Sequence, residues 1–585
     1  MYLKKTTNKK TGRTHLSIAE GYWDKERGHS RTTTVSSLGY VDELLDKYED
    51  PVAHFKEVVD EMNKAVEEDA EYSLTINKDE QLEPNTSDRK NYGYIVIMKL
   101  YYELGLDRFF TNRQIRNSKI EFNTSNIMKM LVIGRILSPG SKRRTYAERD
   151  RYFDFENEEA FSLNNVYDAL TFYARFEKDV QLLMHKRIKE NYGRNLEIIY
   201  YDITNFYFEI DLEDELRKKG VSKEHRPNPL VQFGLAADTD GLPLSYEVFP
   251  GNESEKLHLR PMISELFRKY GCRKIIAVAD SAQNTGNNVY YLDQGKQYYV
   301  FSQSIRGGDK SLKQFVQDEE GYQYYGDQYK WKSRVELKKL RVDFNHPDGT
   351  TYKKTVYVDQ RQIVFYSEKY AVRSKALREA ALKKAVGIIE DPSKYTRALA
   401  HGALKYLLNV EIDKETGEIK EAKTGKPCLD LDLIREEEKY DGYYAIVTNL
   451  FDEGEDKGKF GDHQIIEIYH GLWRIEETFG ITKYDLETRP MYVSLINHIK
   501  AHVLICYIAL TILRLIQKRI GYKHSPEKII EALNRISCSY EGKNLYLFDY
   551  RSEISDDIAA AFGLDFSMKR LTRAEIKKNI GAVKK

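Results

Sequence analysis

An aspartate inside a strongly apolar run constrains this sequence more than any other feature. The run is IIYYDITNFYFEI, from Ile198 to Ile210, with Asp202 near its middle. Isoleucine, tyrosine, phenylalanine and threonine at this density predict a β-strand, and apolar residues on both parities predict that both of its faces are buried. A buried carboxylate without a partner would destabilise the fold by roughly 2–7 kcal/mol or more. The strand prediction therefore requires a cation beside Asp202.

The length and composition indicate a globular protein with several domains. At 585 residues the chain is too long for a single core, and about three to five domains are expected. Lysine and arginine number 92 against 91 aspartate and glutamate residues, so the overall charge offers no general argument for nucleic-acid binding. Such a partner would have to be recognised by local clusters of basic residues.

The sequence predicts neither secretion nor a membrane anchor. The N-terminal MYLKKTTNKKTGRTH is basic but lacks the apolar segment of a signal peptide. The most apolar stretch, from Ala501 to Arg519, is short for a membrane span and contains Arg514, so we predict a core helix. Four widely spaced cysteines without a CxxC pair favour a reducing cytoplasm over a disulfide or zinc framework.

The periodicity of the apolar residues changes several times along the chain. Around residue 195 helical periodicity gives way to strands, and after residue 296 a long lysine-rich segment alternates at period two. We predict six regions: a β-hairpin, helix and linker at 1–91; a helical region that is a candidate for binding DNA ends at 92–194; the first part of a core at 195–296; a β-rich insertion at 297–439; the second part of the core at 440–520; and a basic helical region at 521–585.

The order of the elements after residue 195 predicts the fold of the core. Three strands are expected at Ile198–Ile210, Pro229–Asp238 and Leu242–Gly251, the last two joined by a Thr-Asp-Gly hairpin turn. A helix and the apolar strand KIIAVAD, which ends at Asp280, follow. Three antiparallel strands, a helix and a fourth strand form the opening of an RNase H-like fold. The predicted fold class is α/β, an RNase H-like core interrupted by the β-rich insertion, with helical N- and C-terminal regions.

Asp202 and Asp280 are the acidic residues of this core that could do chemistry. An acid at the end of a strand is more often a solvated cap, but adjacent strands would bring these two close enough to share a divalent cation. Mg²⁺ needs only one or two carboxylates together with waters and substrate phosphates. A pair of such ions about 3.5–4 Å apart can stabilise both oxygens of a phosphoryl displacement. A bound ion would also provide the cation that Asp202 requires.

A third acid lies in the segment YHGLWRIEETFGITKYDLETRP. Tyr469, Glu476 and Lys483 are spaced seven residues apart, about two helical turns, so they are predicted to share one helix face. The alternative is an ordinary amphipathic helix with a half-buried tyrosine.

This spacing resembles the signature of the DDE transposases of bacterial insertion sequences. In the subgroup typified by insertion-sequence family four, the signature is tyrosine, two residues, arginine, three residues, glutamate, six residues and lysine. The arginine position is not matched, since Leu472 occupies it and Arg474 follows two residues later. The segments YDITNFYFE, ADSAQNT and DGYYAIVTN are also similar to that group, and the resemblance extends from about residue 195 to residue 515.

The resemblance implies a function and a set of site residues. It implies an RNase H-like core of the retroviral integrase superfamily, with Asp202, Asp280 and Glu476 as the catalytic carboxylates. These would bind two Mg²⁺ ions per active site, with Mn²⁺ as a substitute. Tyr469 and Lys483 would hold phosphates, with Arg474 in place of the missing arginine. The partners implied are double-stranded DNA, as terminal inverted repeats and as target, and a second copy of the chain in a synaptic homodimer, in a cytoplasmic, nucleoid-associated protein.

Further DNA contacts are predicted outside this set. Lys142, Arg143 and Arg144, in SKRRTYAERDRY, could neutralise phosphates, although charged runs are often only solvated surfaces. Trp331, in YKWKSRV, is the candidate for stacking on an unpaired base. Two alternatives to a transposase stay open at this stage: a structure-specific nuclease on the same fold, and a domesticated DNA-binding protein without catalysis.

Overall fold

The structure is a computed structural model of the 585-residue chain, and it divides into two compact units, Met1–Thr86 and Ser87–Lys585. It describes residues 1–584 except for 9–11, 25–28, 69–80, 82–86, 117–118, 156–160, 224–226, 327–328, 396–399, 401, 413–418, 423–424, 453–457 and 543. Most of the predicted linker at 71–91 lies outside the described residues.

The first unit is a three-stranded antiparallel sheet followed by two helices. Its elements are β1 (Tyr2–Thr7), β2 (Thr14–Asp24), β3 (His29–Tyr40), α1 (Val41–Leu44) and α2 (Pro51–Glu68), with strand order β1-β2-β3. Leu16 and Ile18 of β2 are buried and form part of the small core of the unit. The predicted hairpin corresponds to β2 and β3, and β1 is a further strand that the sequence analysis did not anticipate.

The second unit begins with a short strand and a group of helices. These elements are β4 (Arg89–Asn91), α3 (Tyr94–Glu103), α4 (Leu106–Ile115), α5 (Thr124–Leu137), α6 (Lys142–Ala147), α7 (Leu163–Ala174) and α8 (Glu177–Tyr192). The side chain of Asn123 caps α5 by accepting a hydrogen bond from the amide of Asn126. Almost every residue of α5 is buried, so this helix is part of the main core.

A nine-stranded sheet organises the rest of the second unit. Its first part contains β5 (Ile198–Tyr207), β6 (Leu230–Ala237), β7 (Pro243–Pro250), α9 (Leu259–Lys269), β8 (Ile276–Ala279), α10 (Gly286–Gln294) and β9 (Tyr298–Gln303). Strands β5, β6 and β7 pair antiparallel, β8 is parallel to β5, and β9 is parallel to β8. This is the strand order predicted for the opening of an RNase H-like fold.

The predicted insertion extends the same sheet. It contains α11 (Lys310–Gln317), β10 (Gln323–Tyr325), β11 (Tyr329–Asn345), β12 (Thr351–Ser367), α12 (Glu368–Glu390), β13 (Leu407–Leu408), β14 (Val410–Ile412), β15 (Ile419–Glu421), β16 (Cys428–Leu429) and α13 (Leu431–Glu438), and β17 (Tyr443–Thr448) follows. The full strand order is β10-β11-β12-β17-β9-β8-β5-β6-β7. The predicted boundary at 296/297 is one strand too early, because β9 hydrogen-bonds to β8.

The last part of the chain is mixed rather than helical. It contains α14 (Asp462–His470), α15 (Trp473–Gly480), a π-helical turn (Ile481–Asp485), α16 (Ile496–Arg519), α17 (Pro526–Arg535), β18 (Ser537–Gly542), β19 (Leu545–Phe548), α18 (Glu553–Phe562), β20 (Arg570–Thr572) and α19 (Arg573–Ala582). Strands β20, β19, β18 and β4 form a second sheet. The prediction of a purely helical 521–585 was wrong, because strands this short leave little period-two pattern.

Helix α16 is the central helix of the core. By length and composition it could cross a membrane, but 94% of its most apolar window is buried inside the protein. Its interrupting charge, Arg514, donates a hydrogen bond to Glu477 at 2.7 Å and another to the carbonyl of Asp240 at 3.1 Å. α16 is thus a core helix of this unit, as predicted.

Candidate active site

Asp202 and Asp280 lie next to each other on neighbouring strands. The parallel pairing of β5 and β8 matches Ile198 with Ile276 and Tyr200 with Val278. Two residues further along both strands, the same register places Asp202 beside Asp280, with adjacent strands about 4.8 Å apart. Residues of the same parity on both strands belong to the main hydrophobic core, so the two aspartates point to the side of the sheet that α15 and α16 cover.

The cation required beside Asp202 is Lys223. Its Nζ lies 3.9 Å from Asp202 Oδ1 and donates a hydrogen bond to the carbonyl of Ile203. The amide of Ile203 also donates to Asp202 Oδ1 at 2.7 Å. Burial nevertheless raises the pKa of Asp202 to about 7, since the attraction of Lys223 only partly offsets desolvation and the neighbouring Asp280. The positive charge around Asp202 is thus too small to compensate fully for its negative charge.

Glu255 is an acidic residue of this site that the sequence analysis missed. It begins a single 3₁₀ turn, Glu255–Leu257, and its Oε1 lies 3.8 Å from Nζ of Lys223. Burial raises the pKa of Glu255, Lys223 opposes this shift, and Asp280 adds to it. No periodicity or motif singles out Lys223 or Glu255, because they reach the site from two irregular segments.

Tyr469 lies between the aspartates and the predicted third acid. It is the penultimate residue of α14, and its half-buried phenol is close to Ser302 at the end of β9. Burial raises the pKa of Tyr469 to about 12, and the charges of Asp280 and Glu476 contribute to the rise. The phenol is therefore within electrostatic reach of both acids and keeps its proton at neutral pH.

Glu476 is exposed in the first turn of α15. The predicted single helix through Tyr469, Glu476 and Lys483 is in fact broken, because α14 ends at His470 and α15 begins at Trp473. Gly471 lies at the break, where a Cβ atom would overlap the hydroxyl of Tyr200. Among the residues that the structure describes, no three His, Cys, Asp or Glu side chains are grouped closely enough to hold a metal ion. Asp202, Asp280 and Glu476 are therefore not gathered into a closed metal-binding group in this structure.

Lys483 lies in the π-helical turn after α15, near Asp202. Burial lowers its pKa, the charge of Lys223 lowers it further, and Asp202 opposes the change. The two lysines share a small cleft with Asn205 and Tyr207 of β5. π-Helical turns occur often at functional sites, and this one turns Lys483 toward the same strand that carries Asp202.

Arg474 is on a different side of α15 from Glu476. Its guanidinium lies 5.3 Å from the ring centroid of Trp473 and is close to the hydroxyl of Tyr200. It also helps to line a cavity of about 380 Å³ with Glu477 and Arg514. Leu472, in the signature arginine position, is buried in the main core. Replacement of the missing arginine by Arg474 remains a prediction.

The basic residues of α6 differ in their surroundings. Lys142 is buried, with its Nζ 3.0 Å from Nδ1 of His502, and burial lowers its pKa to about 7. This placement contradicts the prediction that Lys142 contacts DNA phosphates. Arg143 and Arg144 are exposed, and Arg144 pairs with Glu148 at 2.8 Å. A contact with phosphate remains a prediction for these two arginines only.

Trp331 is placed in a packed environment. It is half-buried in β11, where its ring contacts Tyr329 and His463 at centroid distances of 5.6 and 6.1 Å. Of the two tryptophans whose side chains the structure describes, Trp473 is the exposed one, 54% exposed and three residues before Glu476. Stacking of Trp331 on an unpaired base remains a prediction, and it would require these ring contacts to open.

An open cavity adjoins the aspartates. Its volume is about 260 Å³, and its lining includes Ser281, Ser302, Arg306, Tyr444 and Tyr469. Ser281 follows Asp280 directly, so this polar and aromatic surface begins at the carboxylate pair. A substrate that reached Asp280 would also meet these side chains.

The carboxylate pair fits a divalent cation. Hard cations such as Mg²⁺ prefer carboxylate oxygens and keep several water ligands, so two carboxylates are a sufficient anchor. Asp202 and Asp280 supply the oxygens, and the raised pKa of Asp202 shows that its surroundings leave negative charge uncompensated. Glu476 would have to approach these residues to serve as a third ligand.

The likeness to solved structures is weak, and no curated protein matches this sequence. One similar solved structure is described as a cryo-EM structure of a piggyBac transposase synaptic complex with hairpin DNA. The likeness has a TM-score of 0.30 and 9% sequence identity, and it covers 89% of this chain and 80% of the other. At that level it carries no argument about fold or function.

Two family models match the chain. Residues 3–73 match the N-terminal domain of the IS1634 family transposases, and residues 229–512 match the transposase DDE domain. The second match includes Asp280 and Glu476, while Asp202 lies on the strand before it. Together the two matches support a DDE transposase of an insertion sequence.

Proposed function

We propose that this transposase works by cut-and-paste transposition: it binds the terminal inverted repeats of its element, cleaves the DNA there and transfers the freed strands to target DNA. The observation that supports the proposal is that Asp202 lies on β5 and Asp280 directly follows the parallel neighbouring strand β8. The spacing of Tyr469, Glu476 and Lys483 supports a signature of the insertion-sequence family four type.

Asp202, Asp280 and Glu476 are the proposed ligands of the metal ions. They would hold two Mg²⁺ ions per active site, with Mn²⁺ able to substitute. When bound, such ions stabilise the attacking and leaving oxygens of a phosphoryl displacement and lower the pKa of a bound water. Glu476 is exposed, so it is free to approach the aspartates when DNA fills the site.

The remaining side chains of the site would position the DNA. Tyr469 keeps its proton because its pKa is raised to about 12, so its phenol can donate a hydrogen bond to a phosphate oxygen. Lys483, which shares a cleft with Lys223, brings a second positive charge near Asp202. Lys223 partly compensates the charge of Asp202 in the DNA-free protein. Arg474, Arg143, Arg144 and Trp331 are weaker candidates for DNA contacts.

The proposal extends to partners and location. Cleavage at both ends of an element requires two active sites, so we propose a homodimer in the synaptic complex. The DNA partners are the terminal repeats and the target, which places the working protein on the nucleoid.

Two other functions compete with this proposal. A structure-specific nuclease would cut DNA without joining it, and the long insertion between β9 and β17 argues against so simple an enzyme. A domesticated DNA-binding protein would need no acids, yet Asp202 is retained inside an otherwise apolar strand, where its charge destabilises the fold.

The test is DNA cleavage and strand transfer by single-residue variants. Asp202→Asn, Asp280→Asn and Glu476→Gln should each reduce both reactions at least about a thousandfold, since loss of one group that stabilises transition-state charge costs roughly 10²–10³ and loss of a metal ligand costs more. The assay uses purified protein, Mg²⁺ and a duplex carrying the inverted repeats that flank its gene.

Glu467→Gln is the matched control for Glu476→Gln. Glu467 is an exposed glutamate of α14 whose carboxylate lies 3.7 Å from Nδ1 of His470. The control should retain the activity of the unchanged protein. An Asp202→Asn or Asp280→Asn variant that still joins ends would remove that residue from the proposed set, and cleavage without any joining would favour the nuclease.

A further inference from the structure

The ammonium group of Lys223 lies between two carboxylates from separate segments of the chain. Its Nζ is 3.9 Å from Oδ1 of Asp202 on β5 and 3.8 Å from Oε1 of Glu255 in the 3₁₀ turn that follows β7. The same Nζ donates a hydrogen bond to the carbonyl of Ile203. Oxygen atoms of three groups therefore surround one positive charge, which is the environment that a hard metal cation prefers.

Asp280 is a third carboxylate in this neighbourhood. Its negative charge raises the pKa of Asp202 and of Glu255, whereas the positive charge of Lys223 lowers both. Lys483 is the second cation that acts on Asp202. Three ionised carboxylates therefore outnumber the two lysines, and the group has room for additional positive charge.

Two buried amide side chains hold the turn of Glu255 beside the segment of Asp280. The side chain of Gln283 donates to the carbonyl of Glu255 at 3.1 Å, and its backbone amide donates to the carbonyl of Asp280 at 3.2 Å. The side chain of Asn288 donates to the carbonyls of Lys256 at 3.2 Å and Gln283 at 3.0 Å. Gln283 belongs to the ADSAQNT segment, and its contacts tie the position of Glu255 to that of Asp280.

We propose that Glu255 is a further carboxylate ligand of the metal site, and that Lys223 occupies the place of a divalent cation between Glu255 and Asp202 in the metal-free protein. The inference rests on the proposed function and adds Glu255 to the carboxylates proposed there. A divalent ion carries twice the charge of an ammonium group, so it compensates the carboxylates more fully. Lys223 is 39% exposed, so its flexible side chain can turn into solvent when an ion binds.

Lys223 and the metal ion compete for the same carboxylates in this arrangement. The ammonium group stabilises the metal-free site and has to leave before an ion can take its place. Loss of the Lys223 charge should therefore strengthen metal binding, whereas loss of the Glu255 carboxylate should weaken it. The two substitutions are expected to act in opposite directions, although both break the same ion pair.

Mn²⁺ binding to the full-length protein without DNA tests the inference, with the free ion measured by electron paramagnetic resonance. Lys223→Ala should bind Mn²⁺ about tenfold or more tightly, because a competing positive charge is removed. Glu255→Gln should bind Mn²⁺ at least about tenfold more weakly, since even the loss of a group that only orients a metal ligand costs about 10- to 100-fold. Far-ultraviolet circular dichroism verifies that each variant is folded.

Glu253→Gln is the matched control, because Glu253 is an exposed glutamate two residues before Glu255 whose carboxylate lies 3.6 Å from Nε2 of His258. This variant should bind Mn²⁺ as the unchanged protein does. An equal loss of affinity in Glu253→Gln and Glu255→Gln would overturn the inference, because it would show a general effect of negative charge near the site.

A double variant distinguishes a metal ligand from a residue that only positions Lys223. If Glu255 acted through Lys223 alone, Glu255→Gln would have no effect on Mn²⁺ affinity in a protein that already carries Lys223→Ala. We expect a loss of about tenfold or more in that background too. An unchanged affinity there would overturn the assignment of Glu255.

Asp202→Asn separates this inference from the proposed function. That variant should lose the Mn²⁺ ion of the site. If it does so while Lys223→Ala and Glu255→Gln bind as the unchanged protein does, the inference is wrong and the proposed function stands. If Asp202→Asn binds Mn²⁺ normally, the proposed metal site fails and the inference fails with it.

Discussion

At the scale of single residues, the cost of burying Asp202 explains much of the candidate site. The apolar strand around it excludes water, and Lys223 at 3.9 Å is too distant to neutralise it fully. The result is a carboxyl group with a pKa near 7 instead of the ordinary 3.8. Such a group binds a cation readily when deprotonated, and it destabilises the protein when no cation is present.

Replacement of Asp202 should therefore change the pH dependence of stability in the metal-free protein. A carboxyl whose pKa is higher in the folded than in the unfolded chain takes up protons on folding, so the free energy of unfolding falls as the pH rises from 3.8 to about 7. The Asp202→Asn variant has no carboxyl group at this position, so its free energy of unfolding does not fall with pH for this reason. We expect the variant to gain roughly 3 kcal/mol relative to the unchanged protein between about pH 5 and about pH 8.

The measurement is urea unfolding of both proteins in a chelating buffer at the two pH values. Asp211→Asn, at an exposed position beyond β5, should show no such trend and serves as the control. A stability difference that stays constant with pH would contradict the raised pKa of Asp202.

At the scale of secondary-structure elements, the break between α14 and α15 sets the position of Glu476. Gly471 is needed there because Tyr200 of β5 lies directly against its Cα, with the Tyr200 hydroxyl donating to the carbonyl of Ile468 at 3.3 Å. This contact holds the helix pair against the strand that also carries Asp202. The contact therefore holds the segment that contains Glu476 against β5, the strand that contains Asp202.

Gly471→Ala should lower the free energy of unfolding by about 1–3 kcal/mol, because the new methyl group must displace Tyr200. Gly480→Ala, at the last residue of α15, is the control, since nothing lies within 4 Å of a Cβ at Gly480. It should be neutral or stabilising by up to about 1 kcal/mol. Chemical unfolding of both variants checks the prediction, and equal effects of the two substitutions would show that the Tyr200 contact is unimportant.

The elements also show how far the sequence alone could lead. Asp202 and Asp280 were predictable because each interrupts or ends an apolar strand, a pattern that is local in the chain. The seven-residue spacing of Tyr469, Glu476 and Lys483 was also visible, but Gly471 and the π-helical turn that reshape it depend on contacts with distant residues. Lys223 and Glu255 come from irregular segments, so only the folded chain reveals them. Trp331 was chosen by residue type alone, and its ring contacts with Tyr329 and His463 could not be read from the sequence.

At the scale of the whole molecule, the chain contains two units of very different size. Residues 1–86 form a small sheet with two helices, and residues 87–585 contain both larger sheets and the main core. Because few contacts cross such a boundary, each unit is expected to keep its own structure.

A chain that begins at Ser87 should therefore fold and unfold cooperatively, with a melting temperature within a few degrees of the main transition of the full chain. Differential scanning calorimetry tests this. A chain that begins at Asn195 is the control, because it lacks the buried helix α5 that packs on α16, and it should aggregate. Aggregation of both truncated chains would show that the first unit is required for folding of the second.

The position of β17 has a mechanical consequence. This strand is hydrogen-bonded to β9 on one side and to β12 on the other, so it cannot slide without breaking two ladders. Strands β11 and β12, each of 17 residues and roughly 55 Å long, are thereby clamped to the sheet that carries Asp202 and Asp280. The base of the long hairpin is therefore fixed to the sheet, so a partner bound at the tip of the hairpin would be held at a fixed distance from the two aspartates.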